Sequence, residues 1–372
     1  MRGSVVIVAG GIGGTGGLSI DVRNLALGLT GRGWNVTIAG GDPGDPAFAS
    51  LPDVELASLR PMGSGRVSTA LTLRTGLASL LADRRSALVH AFGCMPSYLT
   101  AAAITTARRN RRPIVWTPMF HPLRARIWRR DARLRPMLAF DALAPLAGRL
   151  VSAVGAATDA EAEVFRRAGA QRIELLPPVV ERAPLARIAQ ARRFRESIGV
   201  GAAPLILVVA SRDEPRKGLD FAWSSFEELR RLRPEARLAL IGVNDAPKNA
   251  PAGVVPVGRV DDATLAAANR AANVAFVPSV FEAFSRVVVE AWQQQTPAVV
   301  SDGVALGSIA DGVAGTMVPY GDSGGAARAL ARLLDDPDTA LAYGRAGRRI
   351  VASRFELKGL IDTVERLYTE LV

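Results

Sequence analysis

Short β-branched runs alternate with helical patterns along the chain, and this alternation narrows the choice of fold more than any other feature. Ser4–Ala9 has the length and composition of a buried strand, Leu18–Leu29 places leucine and valine on one helical face, and Trp34–Ala39 is again a strand. Parallel strands are joined through a helix, so this order predicts a β-α-β unit. The order resumes at the strand Pro204–Ala210, which predicts an α/β protein with a parallel sheet in each half.

The length and the charge of the chain agree with two domains of different character. A chain of 372 residues is long for one hydrophobic core and suits two domains. Residues 1–180 carry 22 Arg and no Lys against 12 acidic residues, a net charge of +10, whereas residues 181–372 carry 24 basic against 23 acidic residues, a net charge of +1. The surplus concentrates in segments 108–112 and 124–135, which favours an anionic partner or surface.

Several classes of protein are disfavoured by what the sequence lacks. No uncharged apolar run reaches the length of about 18 residues that a transmembrane helix needs, so no such helix is expected. The start of the chain lacks the pattern of a signal peptide. Cys94 is the only cysteine, and His90 and His121 are the only histidines, so neither an internal disulfide nor a cysteine- or histidine-based metal site is predicted. We therefore expect a cytoplasmic protein.

The most informative segment is Val277–Trp292, which reads as a strand end, a turn and a buried helix. Pro278 breaks the strand, and the residues from Val287 onward are mostly apolar, so this helix is predicted to be largely buried. The first amides of a buried helix lack partners within it and form an anion site together with the helix dipole. Glu282 lies in the turn and Glu290 eight residues later. Buried carboxylates need partners, and sugar or ribose hydroxyls would supply them.

This Glu-x7-Glu pattern resembles the signature of the retaining glycosyltransferases of family 4, the glycosyl transferases group 1. The resemblance implies the GT-B fold, which has two Rossmann-like domains, a cleft between them and a C-terminal helix that crosses back. It implies that Glu282 meets the donor sugar and that Glu290 holds the nucleotide ribose. The turn residues that it places at the donor diphosphate are Phe284, Ser285, Arg286 and Val287. The family usually has glycine at the positions of Ala283 and Ser285, and we expect Ser285 to cap the helix instead.

Two further segments of the second half match the same family. Arg212 follows a strand end and Lys217 precedes Gly218 and a helix, as in the family's Gly-Arg and Lys-Gly pairs. The resemblance makes both residues cations that stabilise the leaving nucleoside diphosphate, whose negative charge grows as the glycosidic bond breaks. A surface turn with ordinary salt bridges is the alternative. The resemblance also places three residues beside the nucleotide base: Gly258, Arg259 and Val260.

The first half adds a glycine loop and two histidines to the resemblance. Gly16 and Gly17 precede the first helix, as in the family loop that faces the donor phosphates and the acceptor. His90 lies near the end of a strand, and His121 follows the next strand, where open α/β sheets bind ligands. The resemblance makes both histidines acceptor-side residues, although a purely structural role stays open for each. The catalytic set that it implies is His121, Glu282, Arg212 and Lys217.

The family also suggests how the chain divides and what it does. The expected limits are residues 1–178 for an acceptor domain, 179–353 for a donor domain and 354–372 for the returning helix; a strand is expected at Leu150–Val154. The expected activity is retaining, hexosyltransferase-like transfer from a nucleotide-diphosphate sugar to an acceptor hydroxyl, with no metal or cofactor. Bacterial polysaccharides, glycolipids and glycosylated metabolites are the expected product classes.

Other functions stay open from the sequence alone. Gly11–Gly16 reads Gly-x-Gly-x-x-Gly, and Asp42 follows the next strand, a pattern typical of NAD(P)-dependent oxidoreductases. A GT-B relative could instead epimerise or hydrolyse a nucleotide sugar. A third alternative is a basic binding protein with a vestigial site, although no nucleic-acid motif is present and no nucleic-acid partner is expected. For a transferase, the basic segment Arg108–Arg135 would contact the inner face of a membrane, and the acceptor would be lipid-linked or anionic.

Overall fold

The computed structural model describes residues 2–10, 17–40, 51–59, 66–83, 87–94, 97–121, 137–178, 180, 183–210, 215–245 and 249–372. The chain forms two compact units. Met1–Val179 and Leu357–Val372 make the first unit, and Val180–Glu356 makes the second. None of the helices within the described ranges is long and apolar enough to cross a membrane.

The first unit is built on one parallel sheet. Its elements follow in the order β1 (Gly3–Ala9), α1 (Gly17–Thr30), β2 (Trp34–Ala39), β3 (Val54–Ala57), α2 (Arg66–Asp83), β4 (Ala87–Phe92), α3 (Tyr98–Arg109), β5 (Ile114–Thr117), α4 (Met137–Leu143), a 3₁₀ helix (Ala144–Leu150), β6 (Ala153–Ala156), α5 (Asp159–Arg167) and β7 (Ile173–Leu175). The strand order is β3-β2-β1-β4-β5-β6-β7, and all pairings among the described strands are parallel.

Helices cover both faces of this sheet because its central strands are apolar on both sides. In β1, Val5 and Ile7 join the core that contains α1, whereas Val6 and Val8 join the core that contains α2 and α3. Alternate residues of a strand point to opposite faces, so an uninterrupted apolar run predicts burial on both. The strand order reverses between β1 and β4, and ligands of open α/β sheets bind at such a reversal.

The C-terminal helix, Leu357–Leu371, packs against α1 in the first unit. Its residues buried in the α1 core are Ile361, Val364, Leu367 and Tyr368. The two helices approach closely at Gly28, where an added Cβ would lie 2.3 Å from Ile361 Cδ1. At the solvent edge, Arg32 forms ion pairs with Asp362 and Glu365. The helix therefore closes one face of the first sheet.

The second unit has its own parallel sheet. Its elements are α6 (Ile188–Ser197), β8 (Leu205–Val209), a 3₁₀ turn (Pro215–Lys217), α7 (Leu219–Leu232), β9 (Arg237–Ile241), β10 (Val254–Gly258), α8 (Asp262–Ala271), β11 (Val274–Val277), α9 (Arg286–Gln293), β12 (Ala298–Ser301), α10 (Gly307–Ala310), β13 (Gly315–Val318), α11 (Ser323–Asp335) and α12 (Pro337–Arg354). The order of the described strands is β10-β9-β8-β11-β12-β13, so the reversal lies between β8 and β11.

The structure confirms the α/β prediction and corrects one strand. The predicted strand Leu150–Val154 is wrong, since Ala144–Leu150 is a 3₁₀ helix and the strand is Ala153–Ala156. The observed strand consists of small residues because its neighbours are close: a Cβ added to Gly155 would lie 2.5 Å from Thr117 Oγ1. Such a strand has little of the β-branched signal from which strands are predicted.

Candidate active site

Two loops of the second unit meet where its strand order reverses. The 3₁₀ turn Pro215–Lys217 follows β8, the turn 278–285 follows β11, and these strands are neighbours. At Gly218 an added Cβ would lie 2.1 Å from the carbonyl oxygen of Pro278, and φ is +66°. Only glycine tolerates both conditions, so the close approach of the two loops explains the glycine of the Lys-Gly pair.

Glu282 is held at the centre of this loop pair by three donors. Its Oε1 lies 2.8 Å from Lys217 Nζ and 2.8 Å from a guanidinium nitrogen of Arg216. The Ser279 hydroxyl donates to the same oxygen at 3.2 Å. The side chains of Glu282 and Lys217 are only 13% and 14% exposed. The structure thus brings together two residues that the sequence placed at the donor, Glu282 and Lys217.

The pKa of Glu282 reflects two opposing effects. Burial favours the protonated carboxyl, but the charges of Lys217 and Arg216 and the hydrogen bonds from Lys217 and Ser279 outweigh it and lower the pKa. Glu282 is therefore an ionised acceptor at neutral pH. A fixed carboxylate of this kind can accept hydrogen bonds from the hydroxyl groups of a bound sugar.

Glu290 lies within α9 and has the opposite shift. Burial raises its pKa, and the negative charge of Asp262 raises it further, while Arg286 and Lys217 oppose the rise. These charges act on Glu290 only because the start of α8, the 3₁₀ turn and the first turn of α9 lie near one another. One of the two cations that hold Glu282, Lys217, therefore also acts on Glu290.

Ser285 occupies the N-cap position of α9, but its side chain makes no capping hydrogen bond. The prediction that Ser285 caps the helix is therefore wrong. Capping side chains normally start from an extended backbone, whereas Ser285 has φ of +84°, in the left-handed region that favours glycine. Its hydroxyl oxygen is buried and has no hydrogen-bond partner among the residues that the structure describes.

The remaining donor-side residues lie at the start of α9 and at the end of β10. Phe284 is buried, whereas Arg286 and Val287 are half-buried. Gly258 has φ of +76°, and an added Cβ would lie 2.8 Å from Asn244 Oδ1, so glycine is needed at this strand end. The two residues that follow, Arg259 and Val260, are exposed and half-buried respectively.

His90 is fully enclosed in the first unit. Its Nδ1 lies 2.6 Å from the Tyr368 hydroxyl and its Nε2 lies 2.8 Å from Thr117 Oγ1, while its ring stacks on Phe92. Burial lowers its pKa to about 3, so the ring is neutral. With both nitrogens engaged, the geometry favours a structural role for His90, namely joining β4, β5 and the C-terminal helix.

His121 follows β5, and the backbone just before it is held by the buried side chain of Glu161. Glu161 Oε1 accepts a hydrogen bond from the Phe120 amide, and its Oε2 accepts one from the Ala157 amide at 2.7 Å. Burial raises the pKa of Glu161 to about 7 despite these two bonds. Met119 has φ of +53°, so a strained residue and a buried carboxyl together fix the backbone beside His121.

Several predicted positions lie outside the described residues. They are Gly11–Gly16, Asp42, the arginines from 124 to 135, and Arg212. Gly17 is the first residue of α1. The roles that the sequence assigns to these positions stay predictions.

Sequence reasoning missed Arg216, Ser279 and Glu161. Arg216 adjoins Lys217, and its proximity in sequence was the one signal available for it. Ser279 lies in the same turn as Glu282, but no sequence pattern indicates that its hydroxyl donates to that carboxylate. Glu161 contacts a loop that is distant in sequence, which only the fold brings close. Within the described ranges, no three His, Cys, Asp or Glu side chains lie close enough to hold a metal ion.

Comparison with known families accounts for most of the chain. Residues 15–183 match the model "Glycosyltransferase Family 4", and residues 203–336 match the model "Glycosyl transferases group 1". The first of these models corresponds to the first unit, and the second model corresponds to the second unit.

Curated relatives match about half of the chain. A phosphatidyl-myo-inositol mannosyltransferase of Mycolicibacterium smegmatis is 33% identical over 172 residues, which is 44% of each protein. A D-inositol 3-phosphate glycosyltransferase of Catenulispora acidiphila is 33% identical over 227 residues, covering 55% of this chain and 52% of the relative. The chain thus spans about half the length of these relatives.

Solved structures match the whole chain at low identity. Sucrose-phosphate synthase from Thermosynechococcus elongatus superimposes with a TM-score of 0.80 at 21% identity, over 100% of this chain and 99% of that one. Anabaena HepE in complex with UDP-glucose gives a TM-score of 0.76 at 16% identity, over 99% and 100%. The chain therefore has the GT-B fold and belongs to the family 4 glycosyltransferases of glycosyl transferases group 1.

Proposed function

We propose that the protein transfers a sugar from a nucleotide-diphosphate sugar to an acceptor hydroxyl, with retention of configuration and without a metal ion. The observation that carries this proposal is the ionised Glu282, which Lys217 and Arg216 hold beside the start of the buried helix α9. Two cations and a helix N-terminus form an anion site. A fixed carboxylate next to it suits the hydroxyl groups of a sugar.

Each residue of this site has a distinct task in the proposed reaction. The amides at the start of α9 and the Lys217 ammonium bind the diphosphate, and their positive charge stabilises the charge that develops on the leaving group. Glu282 accepts from the donor sugar, and Glu290 accepts from the ribose. The bond between the anomeric carbon and the leaving phosphate breaks as the acceptor oxygen bonds to that carbon on the same face. The acceptor proton passes to the leaving phosphate, so no protein nucleophile is required.

The names of similar proteins suggest a donor and an acceptor, which we add to the proposal. HepE is named as a UDP-glucose complex, so we propose a uridine diphosphate sugar as the donor, with a guanosine diphosphate sugar as the alternative. Two relatives are named for inositol substrates that carry phosphate, and residues 1–180 carry a net charge of +10. We propose an anionic acceptor of this class, either lipid-linked or a small phosphorylated metabolite, for an enzyme that works at the inner membrane face.

Release of nucleoside diphosphate tests the proposed reaction. The full chain is incubated, in EDTA, with UDP- and GDP-linked glucose and mannose, with phosphatidylinositol or inositol phosphate as acceptor. We expect release with at least one pair, and NMR of the product should show the anomeric configuration of the donor. Inversion, or a requirement for added metal, would contradict the mechanism. Free sugar or an epimerised nucleotide sugar in place of product would favour the hydrolase or epimerase alternative.

Lys217→Ala separates transition-state stabilisation from binding. Loss of one donor to a developing charge typically lowers kcat by about 10² to 10³-fold. We expect a fall of this size, together with a smaller change in KM. Lys358→Ala is the matched control, because Lys358 is 78% exposed and pairs only with its helical neighbour Asp362 among described residues. Equal activity of Lys217→Ala and the wild type would contradict the role given to Lys217.

A further inference from the structure

One helix of the first unit turns its small residues inward. The 3₁₀ helix Ala144–Leu150 directly continues α4, and the residues that it buries are Ala144, Pro145 and Gly148. At Gly148 an added Cβ would lie 2.9 Å from Phe165 Cδ1, so this side packs tightly on the core. A surface helix of a globular protein normally packs its large apolar residues against the core, and this helix has the reverse pattern.

Three leucines of the same segment face solvent. Leu143, Leu146 and Leu150 are between 41% and 61% exposed. The first two are one 3₁₀ turn apart and lie on the same side, and the third follows about 8 Å further along the axis. Single exposed leucines are ordinary on a protein surface, but a cluster of them marks an interaction site. We call these three residues the leucine face.

Arginines border the leucine face at its far end. Arg108 Nη1 donates to the Leu150 carbonyl oxygen at 3.1 Å, and the Ser152 hydroxyl accepts a hydrogen bond from the Ile114 amide at 3.1 Å. These contacts bring the end of α3 and the turn after it next to the end of the 3₁₀ helix. The exposed arginines of these segments are Arg108, Arg109, Arg111 and Arg149.

We propose that the leucine face inserts into the surface of an anionic membrane, while the bordering arginines contact lipid phosphates. Apolar side chains next to basic ones are typical of helices that lie in the membrane interface. A second copy of the chain fits this face less well, because a symmetric contact would bring the same arginines together. The inference rests on the membrane location in the proposed function and adds to it an apolar attachment that salt does not screen.

Vesicle sedimentation of the full chain tests this inference. The vesicles consist of phosphatidylcholine, with or without phosphatidylglycerol, and hold neither donor nor acceptor, so failure here leaves the proposed sugar transfer standing. The serine variant carries Leu143→Ser, Leu146→Ser and Leu150→Ser. The matched control changes three residues on helices of the second unit that are between 42% and 55% exposed: Ile188→Ser, Leu232→Ser and Leu341→Ser.

The serine variant should bind the anionic vesicles about 100-fold or more weakly than the wild type, because the apolar area of three leucines is no longer buried. In about 1 M NaCl, where the Debye length is about 3 Å, the wild type should keep measurable binding and the serine variant should keep none. The control should bind like the wild type. Leu146→Trp should bind at least as tightly, and brominated lipid should quench its added emission, because tryptophan favours the membrane interface.

Each of four results would overturn the inference. Equal vesicle binding by the serine variant and the wild type would show that the leucine face stays out of the bilayer. An equal loss in the control would show that any exposed apolar residue contributes. Loss of all wild-type binding in high salt would leave charge as the whole attachment. Self-association that only the serine variant loses, without a change in vesicle binding, would assign the leucine face to a second copy of the chain.

Discussion

Glu282 and Lys217 show which contacts of single residues can be predicted from the sequence and which cannot. Their spacing from strand ends and glycines is visible in the sequence, and the structure joins them at 2.8 Å. The second cation on Glu282, Arg216, was not predicted, because an arginine in a surface turn has no pattern that separates it from a solvated one. The backbone of the 3₁₀ turn brings both adjacent basic residues to the same carboxylate.

Burial of the single residue His90 predicts that the stability of the protein depends on pH. Its pKa is lowered by burial to about 3, below the value of about 6.5 in an unfolded chain. The unfolded state therefore binds the proton first, so stability is fully present above pH 6.5 and is lost as the pH falls from 6.5 towards 3. Between pH 7 and pH 5 this loss amounts to about 2 kcal/mol.

Urea unfolding of the wild type and of His90→Gln at both pH values measures this loss. The variant should be less stable at pH 7, because the hydrogen bonds to Tyr368 and Thr117 are disturbed. It should lose less stability than the wild type on going to pH 5, so the difference between the two proteins narrows by about 2 kcal/mol. Parallel pH profiles for the two proteins would show that His90 is not the group responsible.

At the level of helices and strands, the structure shows packing contacts that sequence patterns do not contain. The helix α1 was predicted from its apolar spacing, and the resemblance to the family implied the returning C-terminal helix. Their contact depends on Gly28, where an added Cβ would lie 2.3 Å from Ile361 Cδ1. The sequence has no signal for this glycine, since a glycine within a helix reads only as a weak helix former. The partner of a helical face is settled by the whole fold.

Gly28→Ala should therefore destabilise the first unit, contrary to helix propensity. Alanine in place of glycine usually stabilises a helix by up to about 1 kcal/mol. Here the added methyl group displaces Ile361, and such overpacking costs about 1–3 kcal/mol. Gly359→Ala, on the C-terminal helix with open space around it, is the control and should be stabilising. If urea midpoints by circular dichroism rose for both variants, the packing described for these helices would be contradicted.

The contact between Glu161 and the segment that holds His121 is a second contact between elements that are distant in sequence. The sequence indicates a loop after a strand and a carboxylate at the start of a later helix. Only the structure shows that this carboxylate accepts from the Phe120 amide. Contacts of this kind join segments that are distant in sequence, so a single sequence without its fold does not reveal them. The family pattern and the alternation of strands and helices were predictable because both recur as local spacing.

At the scale of the whole molecule, the uneven charge predicts binding to anionic membranes. Residues 1–180 have a net charge of +10, and each basic residue near an anionic surface contributes about 1 kcal/mol. Replacing Arg124, Arg126 and Arg129 together by alanine should weaken binding to phosphatidylglycerol vesicles by about 100-fold. Binding by the wild type should also fall steeply as the salt concentration rises.

The control for the vesicle measurement is a triple alanine variant of exposed arginines on α12: Arg345, Arg349 and Arg354. Vesicle sedimentation should distinguish the two variants. Equal losses would show that only the total charge matters and not the basic segment of the first half. Transfer to a soluble acceptor should persist in both variants, because docking and chemistry use different residues.

Calorimetric titration in EDTA measures whether the second unit holds a nucleotide-sugar site. The ligands are UDP, GDP, ADP, TDP and NAD, and the proteins are the wild type, Glu290→Ala and the control Glu228→Ala, whose carboxylate is 39% exposed. We predict binding of one nucleoside diphosphate, about tenfold weaker in Glu290→Ala and unchanged in Glu228→Ala. Binding of NAD alone, unaffected by Glu290→Ala, would rule out this site and favour an oxidoreductase that uses Gly11–Gly16.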